Sequence, residues 1–275
     1  MPQTRNTKRG KGTKRGKRPN KKTKNKKNKK APAIKDPSFA STLHKGTKAS
    51  SACVLCQNKY HYQDYEVFAR YIEHVVEKGR YRYVGMPSDM SDMTMGLRMD
   101  SGHLRPYYVS ESKFLGVIQR GIASSKVSLI PIILNLEVKG SSNHANCLVI
   151  HKATKTIELF EPHGHRSSAS TLGGQVGAYG QKMRFLKRYW DKRLPEYSVV
   201  NVVDVVKRTA FQTDKDPDDH SGFCVTWSLL YTHYRILNPS SPYKTLLTYI
   251  DRKVTTRILL RYARKVEETL KSGGS

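Results

Sequence analysis

Residues 144–161 read HANCLVIHKATKTIELFE. Two apolar runs, ANCLVIH and KTIELFE, meet around the polar KATK, which is the pattern of an antiparallel hairpin. A hairpin returns to the level at which it began. His144, at the start of the first strand, and Glu161, at the end of the second, are therefore expected side by side although they stand 17 residues apart.

Working outward, KVSLIPIILNLEV (126–138) reads as a buried strand, and so does YSVVNVVDVV (197–206). After the polar loop TDKDPDDHSG, apolar residues fall at Phe223, Trp227, Leu230, Tyr231, Tyr234 and Leu237. That spacing predicts a helix with a wide buried stripe, stopped by Asn238-Pro239. Residues 64–78 carry Val67, Tyr71, Val75 and Val76 at helical spacing, and 171–194 reads as a basic helix. A last helix places Leu259, Tyr262, Ala263, Val266 and Leu270 on one face. Residues 79–125, rich in Gly, Ser, Met and Asp, receive no assignment. The expected class is α+β, a central mixed sheet with flanking helices.

Cys224 stands where the polar loop enters the apolar helix. A helix N-terminus carries roughly half a positive charge, which favours thiolate over thiol. A thiolate there becomes a good nucleophile if a histidine pairs with it. His144 supplies that base, because an imidazole titrates near neutrality. Glu161 is expected to accept the other ring N–H and fix the tautomer. Gln212 is the candidate side-chain donor to an oxyanion, beside the Cys224 backbone N–H; such a donor is worth about 3 kcal/mol of barrier. Each of the four alone reads more simply as a core cysteine, a strand-end histidine, a solvated glutamate or a loop glutamine. Together they form a complete nucleophilic apparatus, in the chain order His, Glu, Gln, Cys, the reverse of the papain order.

The motifs LFEPHG, His144-Ala145-Asn146 and GFCVTWSL (222–229), with Asn238-Pro239, resemble the Ulp-type cysteine protease superfamily, which covers SUMO and ubiquitin-like proteases and the adenovirus maturation proteinase. The resemblance covers about residues 125–240 and is nearest to protease-like proteins of large DNA viruses. It implies a papain-like, adenain-type fold in circularly rearranged order. It also implies a cysteine endopeptidase with His144, Glu161, Gln212 and Cys224 as base, acid, oxyanion donor and nucleophile. A virion maturation protease is the first reading. An isopeptidase of the deubiquitinase or deSUMOylase type and an inactive nucleic-acid-binding virion protein are the alternatives. Ala145 stands where SUMO proteases often carry tryptophan. The 12-residue gap from Gln212 to Cys224 is longer than the family's usual loop.

The chain carries a formal net charge of +28, and residues 1–30 hold 15 Lys/Arg with no Asp or Glu. Such a segment cannot bury a core and is expected to stay disordered. Residues 1–45 are therefore read as a basic tail and 46–275 as the protease-like domain. The tail would bind phosphates through counterion release, so nucleic acid is an expected partner beside a protein substrate. By resemblance, DNA is a possible activating polyanion, and no other cofactor is expected. Cys53 and Cys56 form a CxxC near His61 but lack the second half of a zinc site, and no metal is expected. Neither a signal peptide nor an apolar membrane span is apparent. The expected location is the virion or the host nucleus and cytoplasm, where thiols stay reduced.

Overall fold

The computed structural model describes residues 33–37, 64–87, 90–101, 103–137, 144–164, 176–206, 211 and 223–272. Among them, six strands form one sheet: β1 (Thr94–Asp100), β2 (His103–Tyr107), β3 (Leu129–Glu137), β4 (His144–His151), β5 (Thr156–Phe160) and β6 (Ser198–Asn201). Their order is β2-β1-β3-β4-β5-β6. β3 pairs with β4, and β4 with β5, antiparallel; β1 lies parallel to β3 and β6 parallel to β5. The hairpin read from residues 144–161 is thus β4–β5, with Cys147 opposite Phe160 and His151 opposite Thr156. The class is α+β with a mixed sheet.

Helices cover both faces: α1 (Asp64–Gly79), α2 (Glu111–Ala123), α3 (Val176–Asp191), α4 (Cys224–Leu237), α5 (Tyr243–Lys253) and α6 (Thr256–Ser272). Strand alternation divides the core in two. Ala145, Cys147 and Val149 of β4 face the layer of α1, α4, α5 and α6, while Leu148 and Ile150 face the layer of α2 and α3.

α4 is more deeply placed than its stripe predicts. Val225, Thr226, Ser228 and Leu229 are buried along with Trp227, Leu230, Tyr231 and Tyr234. Burying each large apolar side chain contributes roughly 1.5–3 kcal/mol. Small residues let α4 approach β4 closely: Ser228 Oγ donates to the Ala145 carbonyl at 3.4 Å, and Cys147 Sγ to the Ser228 carbonyl at 3.5 Å. At its far end, Arg235 Nη2 donates to Glu158 Oε1 at 2.8 Å, and Tyr231 Oη donates to Glu158 Oε2 at 2.7 Å. This charged bridge ties α4 to β5 within the core, with both ionic partners buried.

The structure adds to the sequence-based expectations at three places. Residues 33–37, within the segment read as tail, are bonded to the helical layer. The Lys35 N–H donates to Asn238 Oδ1 at 2.7 Å, and Asn238 Nδ2 donates to the Lys35 carbonyl at 2.8 Å. Asp36 accepts from Tyr234 and Tyr249, both at 2.8 Å, and Pro37 is buried. These bonds hold a segment that composition assigns to the tail. Next, YSVVNVVDVV is a strand only over Ser198–Asn201. The Asn201 side chain then accepts from the Val203 N–H and donates to Asp204, turning the chain into the 3-10 turn Val202–Val205. Last, the unassigned 79–125 region holds β1, β2 and α2. The basic run 1–30, Cys53, Cys56, His61 and Gln212 lie outside the described residues. No helix among the described residues is long and apolar enough to cross a membrane.

Candidate active site

Cys224 is the first residue of α4, preceded by Phe223 without a side-chain cap. An uncapped N-terminus leaves backbone N–H groups unpaired within the helix. His144 is the first residue of β4, and Glu161 follows the last residue of β5. Alternation puts His144 and Asn146 in the same row as Leu148 and Ile150, and Glu161 in the row of Ile157 and Leu159. These rows face α3, whereas Cys224 comes from the opposite layer. The two sets can meet because His144 and Glu161 stand at the end of the sheet, where no strand separates the layers.

They do meet. His144 Nε2 lies 2.7 Å from Glu161 Oε1, and the Cys224 thiol is near enough to the same ring to raise its pKa. The Glu161 side of the ring is its Nε2. All three residues are buried, with His144 at 6%, Glu161 at 1% and Cys224 at 7% exposure, so water screens their charges little.

Glu161 is held by more than the histidine. Its Oε1 accepts the His163 backbone N–H at 3.1 Å, and its Oε2 is paired with the buried Lys182 ammonium from α3. Asn146, with its amide turned to donate, reaches Oε2 at 2.8 Å and Oε1 at 3.0 Å. A carboxylate offers about four lone-pair sites, so Glu161 is saturated and fixed. The turn that sets it uses Gly164 in the left-handed region, φ 58°, with the Gly164 N–H donating to the Glu161 carbonyl at 3.0 Å. That conformation is open to glycine and costly for most other residues, and it accounts for the PHG sequence after Glu161.

Electrostatics follow the contacts. Burial alone would lower the His144 pKa, and it is the largest single influence. The Glu161 charge, the hydrogen bonds to Cys224 and Glu161, and the Cys224 charge together outweigh it and raise the pKa to about 9. Burial pushes the Glu161 carboxyl up, but the Lys182 and His144 charges bring it well below the usual carboxylate range. His163, whose ring lies 4.4 Å from that of His144, is lowered to about 4 by burial and by the His144 charge. His163 is thus neutral at neutral pH and does not repel a His144 imidazolium.

The chain is similar to Ulp-type proteases. The ASFV pS273R protease matches at 14% identity and a TM-score of 0.42, over 72% of this chain and 64% of that one. ChlaDub1 from Chlamydia trachomatis matches at 11% identity and a TM-score of 0.36, over 78% and 79% of the two chains. The C-terminal Ulp1 protease domain, solved in complex with Smt3, the yeast ortholog of SUMO, matches at 12% identity and a TM-score of 0.36, over 74% and 73%. The chain spans about two thirds of the length of the ASFV protease, 64%. No family model and no curated protein matches the sequence.

Of the four sequence-predicted residues, the fold brings His144, Glu161 and Cys224 together, while Gln212 falls outside the described residues. Its neighbour Phe211 donates its N–H to the Pro162 carbonyl at 2.8 Å and packs on Trp227 and Phe160. Sequence reading did not single out Lys182, and it named Asn146 only within the His144-Ala145-Asn146 motif, without a role. For Lys182 a signal exists: it shares an i, i+4, i+7, i+8 stripe with Leu186, Tyr189 and Trp190, all buried. A lysine inside an apolar stripe needs a buried partner. Asn146 shows a similar signal, a polar residue alternating with Leu148 and Ile150 on one strand face. No group of three or more His, Cys, Asp and Glu among the described residues could hold a metal ion.

Proposed function

We propose that this chain is a cysteine peptidase that cleaves amide bonds in proteins. The observation that carries the reading is the buried relay from Glu161 through His144 to the thiol at the start of α4. In this mechanism the Cys224 thiol passes its proton to His144 and the sulfur attacks the scissile carbonyl. The oxyanion takes hydrogen bonds from the Cys224 backbone N–H and from Gln212. The C–N bond then breaks as His144 donates its proton to the departing amine, leaving a thioester. Water, deprotonated by His144, hydrolyses that thioester and restores the thiol. Glu161 holds the ring and balances the imidazolium throughout.

At finer grain we propose an endopeptidase of virion maturation, with residues 1–30 acting as a tether to packaged nucleic acid. The FEPHG and GFC segments and the charge density of the tail support this reading. The test is incubation of the full chain with unstructured virion proteins and, separately, with ubiquitin and SUMO carrying a C-terminal electrophile. New protein termini produced by wild type and absent with Cys224→Ala support an endopeptidase. Selective capture of one modifier would replace it with the isopeptidase reading. Absence of both reactions in folded protein would leave an inactive nucleic-acid-binding protein. The tether is tested apart from catalysis: removing residues 1–30 should flatten the salt dependence of DNA binding, and an unchanged slope contradicts it.

A further inference from the structure

Lys182 reaches the site from α3, on the side of the sheet away from Cys224. It is 4% exposed, although a lysine stem is long enough to carry its ammonium to solvent from most helix positions. Its ammonium instead meets Glu161 Oε2, and Asn146 bridges the two oxygens of the same carboxylate. A buried ion pair of this kind adds little stability over a well-packed apolar pair, so stability alone is a poor account of it.

We propose that Lys182 is a positioning residue of the catalytic relay: it holds the outer oxygen of Glu161 so that the inner one faces His144, and its charge sets the pH range in which Cys224 and His144 form an ion pair. The proposal rests on the peptidase reading above. Charge balance gives the reason. A Cys224 thiolate and a His144 imidazolium cancel, which leaves the Glu161 carboxylate as one uncompensated negative charge in a buried site. Lys182 brings the sum to zero. Among the described residues, the other groups facing the site do not substitute for it. Asn146 from β4 is neutral, His163 from the turn after β5 is held neutral by burial, and Glu158 of β5 is already paired with Arg235 of α4. Without the ammonium, the net negative charge works against forming the thiolate and in favour of retaining a proton on His144. Both ionisations of the pair then move to higher pH.

The experiment uses the full chain as wild type, Lys182→Met, Lys182→Gln and Lys182→Arg. Two profiles are recorded against pH: the rate of Cys224 alkylation by iodoacetamide, mapped by mass spectrometry, and the His144 imidazole titration by NMR. Lys182→Met and Lys182→Gln should move both profiles upward by about one pH unit, with alkylation slowed about tenfold near pH 6. Lys182→Arg, which keeps the charge, should retain the wild-type profiles. Superimposable profiles for wild type and the two neutral variants would overturn the proposal. So would failure of both neutral variants to fold while Lys182→Arg folds, since that would make Lys182 a structural pillar. A wild-type Cys224 that alkylates no faster than in unfolded protein would instead bring down the peptidase reading on which this one rests.

Discussion

Replacing Glu161 with glutamine keeps the shape of the relay and removes its charge. His144 is raised to about 9 from an ordinary value of 6.5. That elevation favours the imidazolium by about 3 kcal/mol. A unit charge about 4 Å away, at an effective dielectric of about 20, supplies about 4 kcal/mol. The net elevation is what remains after burial has lowered the pKa, so the Glu161 charge, the largest raising influence, acts together with the Cys224 interactions. In Glu161→Gln, burial becomes dominant and the His144 pKa should fall to about 6.5 or below. Stability should follow the same sign. A raised histidine pKa contributes stability that is fully present below about pH 6.5 and is lost as pH rises through about 9. The stability gap between wild type and variant should therefore narrow across that window. The variant also leaves the Lys182 ammonium buried without its carboxylate, a cost of about 3–5 kcal/mol, which Glu161→Gln combined with Lys182→Met should largely remove. The assay is a pH titration of the His144 ring by NMR in the single and double variants, beside urea unfolding at each pH. A His144 that still titrates near 9 without the carboxylate would refute the reasoning.

Other consequences follow from the packing. Arg235→Met leaves the buried Glu158 without its guanidinium partner, and should cost about 3–5 kcal/mol; thermal melting should drop by roughly 10 °C, and an unchanged melt contradicts the bridge. Asp36→Ala removes the acceptor shared by Tyr234 and Tyr249 and should cost about 1–3 kcal/mol, with faster amide exchange at Lys35; equal exchange in both proteins would show that 33–37 is not held by these bonds. His163 and His233 are each lowered to about 4, chiefly by burial. An unfolded chain takes up these protons near pH 6.5 and the folded one only near 4, so stability should fall as pH drops through that window. Urea unfolding at a series of pH values checks it, and His233→Gln should make the decline shallower.

The hairpin and the helix after Cys224 were legible because their information is local. ANCLVIH and TIELF alternate toward two cores, and the turn between them is short, so the pairing of His144 with Glu161 needs only strand geometry. The helix after Cys224 was equally clear from Phe223, Trp227, Tyr231 and Tyr234. β1 was not legible. Its sequence TMGLRMD has few β-branched residues, and it is placed by a parallel pairing with β3 and by Tyr107, whose ring occupies the space that a side chain at Gly96 would need. That contact lies across the sheet and leaves no periodicity in the strand itself. Lys182 was obscured for a different reason. Arg184, Lys187 and Arg188 make the helix look uniformly basic, and only position relative to Leu186 and Trp190 separates the buried cation from its neighbours. The docking of Lys35 and Asp36 on α4 and α5 depends on Asn238 and two tyrosine hydroxyls roughly two hundred residues away, so nothing in the local composition announces it.

The central claim is that His144 activates the sulfur of Cys224. The most direct measurement is the rate of iodoacetamide modification at each cysteine of the native full chain near neutral pH, in wild type and His144→Ala, with the unfolded chain as reference. Modification of Cys224 should be stoichiometric and about tenfold faster than in the unfolded chain, should fall to the reference rate or below in His144→Ala, and should spare the buried Cys147. A Cys224 rate that is the same with and without the imidazole would contradict it.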